Sequence, residues 1–154
     1  MDVLQFQNLC RNASVQLGAK NPEELAEVGQ ISIGDIEVGL IFDDEHTDRL
    51  FCYVDIGSLE ALDSSGDCGP VYRDMLTLNL LRGSKTAGVI ALDPVSNHLL
   101  LSSHLMDPDS YDGPRLAAAL QDHASDSILA RELWIARLEM RGTKMPAHQI
   151  VNLA

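Results

Sequence analysis

Alternating apolar and polar residues predict a sheet of five strands. Every second residue is apolar along 35–42 and again along 50–56, and a short apolar stretch at 30–33 precedes them. Two further apolar stretches lie within 86–105, on either side of the turn-forming sequence DPVSN at 93–97. Successive side chains of a strand point to opposite faces, so 86–105 forms a hairpin that is apolar on both faces and needs cover on both.

Three other stretches repeat their apolar residues at helical spacing. They lie at 2–18, 70–83 and 114–142; the first starts with an aspartate, the others start with a proline, and all end at a glycine. These are typical first and last residues of helices. One flank of the third helix is expected to carry Leu116, Leu120, Ala124, Ile128, Arg131, Ile135 and Leu138.

The order of these elements predicts a fold class. Helix, three strands, helix, two strands and helix (α-β-β-β-α-β-β-α) indicate an α+β domain with an antiparallel five-stranded sheet and three helices. We expect this single domain to span residues 1–142, and the tail at 143–154 to be loosely ordered. The segment 58–69 is rich in serine, aspartate and glycine, and we expect it to form a surface loop.

The helix predicted at 70–83 is apolar on nearly every side. Val71, Met75 and Leu78 lie on one flank, and three further leucines lie on another. Leaving such side chains exposed would forgo about 1.5–3 kcal/mol each, and a second copy related by a two-fold axis is the simplest cover. The sequence therefore favours a homodimer, and the alternative is that this helix is the central core element of a single copy.

The chain is acidic, and this limits the kinds of partner that it can bind. Its 154 residues include 23 aspartates and glutamates against 11 lysines and arginines, giving a formal net charge of -12. Such a field repels nucleic acid and anionic membranes, and no basic stripe offsets it. The N-terminal stretch lacks the pattern of a signal peptide, no apolar run is long enough to cross a bilayer, and three scattered cysteines indicate reduced thiols in a cytosol.

Candidate catalytic and metal-binding patterns are weak. GSKT at 83–86 lacks the glycine spacing of a phosphate-binding loop, and DSSGDCG at 63–69 lacks the glycine and glutamate of a calcium loop. The carboxylates at 43–45 are expected in a solvated hairpin tip with ordinary pKa values. His98 and His104 share one strand face but lie too far apart to share a metal. We therefore expect no enzymatic activity, no cofactor and no metal.

Several segments share the pattern of one family of small acidic bacterial proteins. IEVGLIFDDE and LFCYVDIG, at 36–45 and 50–57, are similar to its central hairpin. YRDMLTLNLL at 72–81 resembles its middle helix, whose asparagine falls at Asn79 here, and ARELWIARL at 130–138 resembles its last helix with a tryptophan. TAGVIALDPVSNHLLLSSHL resembles its later hairpin. Over about residues 1–140 the chain thus resembles the class I type III secretion chaperones, the Tir-chaperone-like family.

The resemblance implies a chaperone that acts as a homodimer in the bacterial cytoplasm and hydrolyses no ATP. Such a protein binds the N-terminal region of a cognate secreted effector, called here the client, and keeps it soluble and competent for secretion. It delivers the client to the secretion apparatus, where the secretion ATPase is a further expected partner. The expected effector contacts are Val3, Phe6, Leu9, Ile31, Ile33, Val38 and Leu40, and the expected dimer contacts are Val71, Tyr72, Met75, Leu78 and Val89.

The hairpin at 86–105 then has a proposed cover for each face. We expect one face to pack on the protein's own helices and the other to lie partly under the second copy and the client. Two other functions stay open at this point. A regulatory adaptor of the same fold would sequester a regulator, and a small α+β enzyme or ligand-binding domain would hold a closed apolar pocket with a few polar groups.

Overall fold

The computed structural model describes residues 1–60, 68–82 and 88–142. The tail at 143–154, expected to be loosely ordered, lies outside these residues, as does most of the predicted loop at 58–69. None of the helices in this described part is long and apolar enough to cross a membrane. The elements in chain order are α1 (Val3–Gln16), α2 (Glu24–Glu27), β1 (Gln30–Ile33), β2 (Ile36–Phe42), β3 (Arg49–Ser58), α3 (Gly69–Arg82), β4 (Gly88–Asp93), β5 (His98–Met106), a short 3-10 turn (Pro108–Ser110) and α4 (Gly113–Gly142).

The five strands form one antiparallel sheet in the order β1-β2-β3-β5-β4. This arrangement confirms the predicted α+β fold class, and β1 has the bounds that its pattern predicted. Because β5 lies between β3 and β4, α3 carries the chain across to the far edge of the sheet. The sheet therefore ends in β1 on one side and in β4 on the other.

The helices α1 and α4 cover one face of the sheet, called here the inner face. One row across this face runs through Val38, Val54, Leu101 and Ile90, and all four side chains are buried. The alternate residues form the outer face, where Val89 is 59% exposed. The expectation that the protein's own helices cover one face of the 86–105 hairpin is therefore confirmed, and in the described part of the chain its other face remains open.

The helix α1 begins and packs as its sequence predicts. The Asp2 carboxylate accepts a hydrogen bond from the Gln5 N–H (2.8 Å), and the Gln5 side chain accepts one from the Asp2 N–H (2.7 Å). This reciprocal pair satisfies N–H groups that have no partner within the helix. Phe6, Leu9, Cys10 and Ala13 recur at helical spacing and are buried, and the Phe6 ring stacks on that of Phe42.

The buried stripe of α4 differs from the predicted flank in its second half. Leu116, Leu120 and Ala124 are buried as predicted, but Ile128 and Ile135 are 46% and 48% exposed. Four residues advance a helix by about 400°, so repeated steps of four drift by about 40° each and leave the buried face. The predicted flank continued from Ile128 and kept this offset, whereas the buried face continues from Ala124 through Ser127, Ala130 and Trp134.

The helix α3 is buried on one flank only. Val71, Met75 and Leu78 are 1%, 3% and 6% exposed, whereas Leu76 and Leu80 are 67% and 80% exposed. A helix that served as the central core element of a single copy would be covered on both flanks. Among the described residues of the chain, therefore, none covers this second apolar flank of α3.

Asn79 joins α3 to the free edge of β4. Its side-chain nitrogen donates to the Ile90 carbonyl oxygen (2.9 Å), and its side-chain oxygen accepts from the Ile90 N–H (2.8 Å). An edge strand leaves a row of such backbone groups unpaired, and a side-chain amide matches one donor and one acceptor. The edge of β4 is therefore closed at Ile90, which gives Asn79 a structural role within this helix.

Replacing Asn79 should destabilise the fold measurably. Asn79→Ala leaves the Ile90 N–H and carbonyl without their partner, and we expect unfolding to become easier by about 1–3 kcal/mol. Urea unfolding at one fixed protein concentration measures this loss. Thr77→Ala is the control, because the exposed Thr77 hydroxyl bonds only within its own helix, to the Arg73 carbonyl. Equal losses for the two variants would contradict the role given to Asn79.

Candidate protein-binding surfaces

The structure places most of the expected effector contacts in the core. Val3 is 53% exposed and Ile33 is half-buried, so these two can meet a partner directly. The remaining five belong to the inner face or to the buried residues of α1, and each is at most 7% exposed. They are Phe6, Leu9, Ile31, Val38 and Leu40.

A shallow pocket of about 320 Å³ lies beside α1. Val3 and Phe6 line it, together with Ala26 and Phe42, and the rings of Phe6 and Phe42 stack with centroids 5.2 Å apart. Asp44 adds one carboxylate to the rim. The pocket thus brings two of the expected effector contacts together. Phe42 was not among them, although it ends the strand whose alternation predicted the inner face.

The expected dimer contacts separate into buried and exposed residues. Val71, Met75 and Leu78 pack inside the chain, whereas Tyr72 and Val89 are 39% and 59% exposed. The most exposed apolar side chains of α3 are leucines that the sequence placed on the other flank. A second copy would therefore meet a flank formed by Tyr72, Leu76 and Leu80.

The outer face of the sheet forms a third surface, called here the outer groove, with a volume of about 730 Å³. The rings of Phe51 and Tyr53 stack on its floor with centroids 6.0 Å apart, and Leu100 lies beside them. Gly39 shapes the floor, because a Cβ at this position would come within 2.1 Å of the Tyr53 ring. No expected site residue lies in this groove. The signal that could have indicated it is the second apolar face of the 86–105 hairpin.

The charged groups around the outer groove are mostly acidic. Asp55 Oδ2 lies 2.7 Å from His98 Nδ1, and Asp55 Oδ1 is buried without a hydrogen-bond partner among the described residues. The Ser96 hydroxyl and the Val95 N–H donate to Asp93 at the other end. These bonds, that of Ser96 above all, hold the pKa of Asp93 below its usual value, so this carboxylate stays charged.

Two thiols and one carboxyl group outside the groove have shifted pKa values. Burial raises the pKa of Cys10 and of Cys52 to about 12, so both thiols stay protonated and unreactive at neutral pH. A hydrogen bond with His46 lowers the pKa of Asp43, which corrects the expectation of ordinary values at 43–45.

Among the residues that the structure describes, no three metal-ligating side chains are grouped to hold an ion.

Three solved structures share this fold. A chain of the HopA1–SchA chaperone–effector complex is similar with a TM-score of 0.63 and 16% identity, covering 86% of this chain and 98% of that one. A chain of the ExsC–ExsE complex gives 0.56 and 12%, covering 97% and 100%. A chain of the ExoT–SpcS complex from Pseudomonas aeruginosa gives 0.50 and 17%, covering 79% and 93%.

The fold of this chain, with its exposed apolar flank on α3, is that of the similar chains in these complexes. The sequence matches the Tir chaperone protein (CesT) family over residues 14–126, and the chain belongs to that family. This finding confirms the resemblance, and with it the class of type III secretion chaperones. No curated protein sequence matches the chain.

Proposed function

We propose that this chain is an ATP-independent chaperone that binds the N-terminal region of one cognate effector, keeps it competent for secretion and delivers it to the secretion apparatus. The observation that carries this proposal is the family match over residues 14–126. We further propose that the chaperone works as a homodimer in the bacterial cytoplasm and meets the secretion ATPase at delivery. A phosphate-release assay on the purified chain should show no ATP hydrolysis.

The pocket beside α1 is the proposed site for an apolar side chain of the client. It lies at the surface, and its Phe6–Phe42 floor is already ordered by packing. The pocket includes Ala26 of α2, the helix that directly precedes β1, and the described residues of β1 pair only with β2. Because Asn79 closes the opposite edge of the sheet at Ile90, β1 is the edge that favours strand addition by an extended client.

The uncovered flank of α3 supports the proposed homodimer. Leu76 and Leu80 project from it beside Tyr72, and residues at these spacings lie close together on one helix face. A two-fold axis near this flank would bury the same leucines of both copies in one contact. The proposed interface therefore uses a flank of α3 that is distinct from its core flank.

A charge placed in the α1 pocket should release the client. Val3→Asp sets a carboxylate beside Asp44 where an apolar side chain would bind, and we expect client binding to weaken by about tenfold or more. Val3 is exposed, so the fold should be unaffected. The chaperone is co-expressed with the products of neighbouring genes, and a client is scored by co-purification and by protease resistance of its N-terminal region.

Val15→Asp is the matched control for this variant. Val15 is 59% exposed on the same helix but does not line the pocket. A client that co-purifies with the Val15 variant and not with the Val3 variant supports the pocket. Equal retention of the client by both variants, or equal loss, would contradict it.

A further inference from the structure

The outer groove combines a large apolar floor with an excess of negative charge. Its floor of Phe51, Tyr53 and Leu100 is only partly buried, although these side chains form a contiguous surface. The rim carries the carboxylates of Asp55 and Asp93 and also that of Glu37. Among the described lining residues there is no lysine or arginine, and His98 is the one basic side chain. The lining of the groove therefore carries three carboxylates against one histidine.

The Asp55 carboxylate has room for a hydrogen-bond donor supplied by a ligand. His98 occupies one of its oxygens, and the other has no hydrogen-bond partner among the described residues although the side chain as a whole is 47% exposed. Arg131 lies in an adjoining depression that Glu37 and Asp55 also line, and it donates to the Asp55 backbone carbonyl (3.4 Å) rather than to either carboxylate. A carboxylate accepts several hydrogen bonds, and a small rotation of the carboxyl group would present the free oxygen to a ligand.

We propose that the outer groove binds a client segment in which apolar residues alternate with arginine or lysine. The apolar side chains would cover Phe51 and Leu100, which need an apolar partner to leave water. The methylene stem of the basic side chain would lie on the Tyr53 ring, with its charged end between Glu37 and Asp55. A second copy of this chain already has a proposed contact on the exposed flank of α3, through Tyr72, Leu76 and Leu80, which leaves the outer groove open to a client.

The identification of the occupant as a client segment rests on the proposed function, but the preference of the groove for basic and apolar residues does not. Two synthetic peptides therefore serve as probes. They share the same leucine positions and differ only in carrying arginine or glutamate between the leucines. Binding of each labelled peptide to the purified full chain is followed by fluorescence anisotropy, and the contacted residues are located by amide chemical shifts.

We expect the arginine peptide to bind about tenfold or more tightly than the glutamate peptide, with shifts concentrated at β3 and β5. A variant carrying Glu37→Gln and Asp55→Asn should lose about tenfold in affinity for the arginine peptide. The control carries Asp122→Asn and Glu132→Gln, the same change in net charge at two exposed positions of α4, and should stay within about twofold.

Several outcomes would overturn the inference. Equal affinity for the two peptides would show that charge does not select the ligand. Equal weakening by both double variants would show that only the overall field of the protein acts. A change of oligomeric state in the Glu37 and Asp55 variant would make the outer face a contact between copies. If the client co-purifies equally with this variant and with the unchanged chain, the proposed function stands and the groove inference fails.

Discussion

Aspartate substitutions on the two flanks of α3 are expected to have different results. Leu78→Asp should abolish the fold, whereas Leu80→Asp should leave a folded subunit that no longer pairs with a second copy. Leu78 is 6% exposed inside the core and Leu80 is 80% exposed. An unpaired carboxylate at the buried position costs more than about 3 kcal/mol, a large part of the stability of a small domain.

Symmetry enlarges the expected effect at Leu80. A two-fold contact carries each substitution twice, so a loss of about 1.5 kcal/mol per side chain becomes about 3 kcal/mol, or roughly a hundredfold in the dissociation constant. Sedimentation equilibrium at several concentrations measures this change, and far-UV circular dichroism reports whether the subunit remains folded. Ser125→Asp, at an exposed position of α4, is the control for the added charge.

Two results would refute the assignment of Leu78 to the core and of Leu80 to the contact between copies. The first is an unchanged chain that sediments as a monomer at micromolar concentration, because the exposed leucines would then have no second copy to cover them. The second is a Leu80→Asp variant that is as unfolded as Leu78→Asp, which would place Leu80 in the folding core. A folded monomer carrying Leu80→Asp, with Ser125→Asp still dimeric, supports the interface.

Strand and helix positions followed from the sequence because local patterns decide them. Alternation over 50–56 predicted the strand that became β3, and an aspartate at position 2 predicted the start of α1. The flank of α4 was predicted less well, because its first four residues were chosen at three successive steps of four. Those three steps add a drift of about 120°, which places Ile128 outside the buried face, whereas Trp134 lies on it.

The candidate sites were harder to predict. The periodicity of apolar residues shows which residues share a face of a strand or helix, but it does not show what covers that face. Both faces of the sheet are apolar, and the effector contacts expected from the resemblance included Val38 and Leu40, which lie on the inner face. The outer groove depends on strand register, which places Tyr53 opposite Gly39 on one side and Ser102 on the other. Register joins residues distant in sequence, and no local pattern within any one strand reveals it.

Gly57 and Trp134 show how two segments noted separately in the sequence depend on each other. Gly57 lies at the register shift where β3 pairs with β5, and Trp134 is buried on α4. A Cβ built at Gly57 would lie 2.1 Å from Trp134 Nε1, so the indole packs directly on the strand backbone. Gly57, which ends LFCYVDIG, and Trp134, in ARELWIARL, therefore contact each other. This contact holds the second half of α4 against the sheet.

Gly57→Ala is accordingly expected to destabilise the chain by about 2–3 kcal/mol, because the methyl group must push the indole out of its packed position. Trp134 is the single tryptophan, so its fluorescence should shift to longer wavelength as the ring becomes solvated, and urea unfolding gives the free energy. Gly18→Ala is the control. Gly18 has a φ of 70° and nothing within 4 Å of a Cβ, so only backbone strain of about 1 kcal/mol applies there.

A smaller ring at position 134 tests the contact itself. Trp134→Phe alone should cost stability through the cavity it leaves, but it should offset part of the loss caused by Gly57→Ala, because the ring no longer fills the space of the new methyl group. Contacting residues in such a double-mutant cycle show coupling of about 0.5–3 kcal/mol. Strictly additive losses would mean that the alanine at position 57 acts through the backbone alone, and the proposed contact between β3 and α4 would then not account for the stability of this end of the sheet.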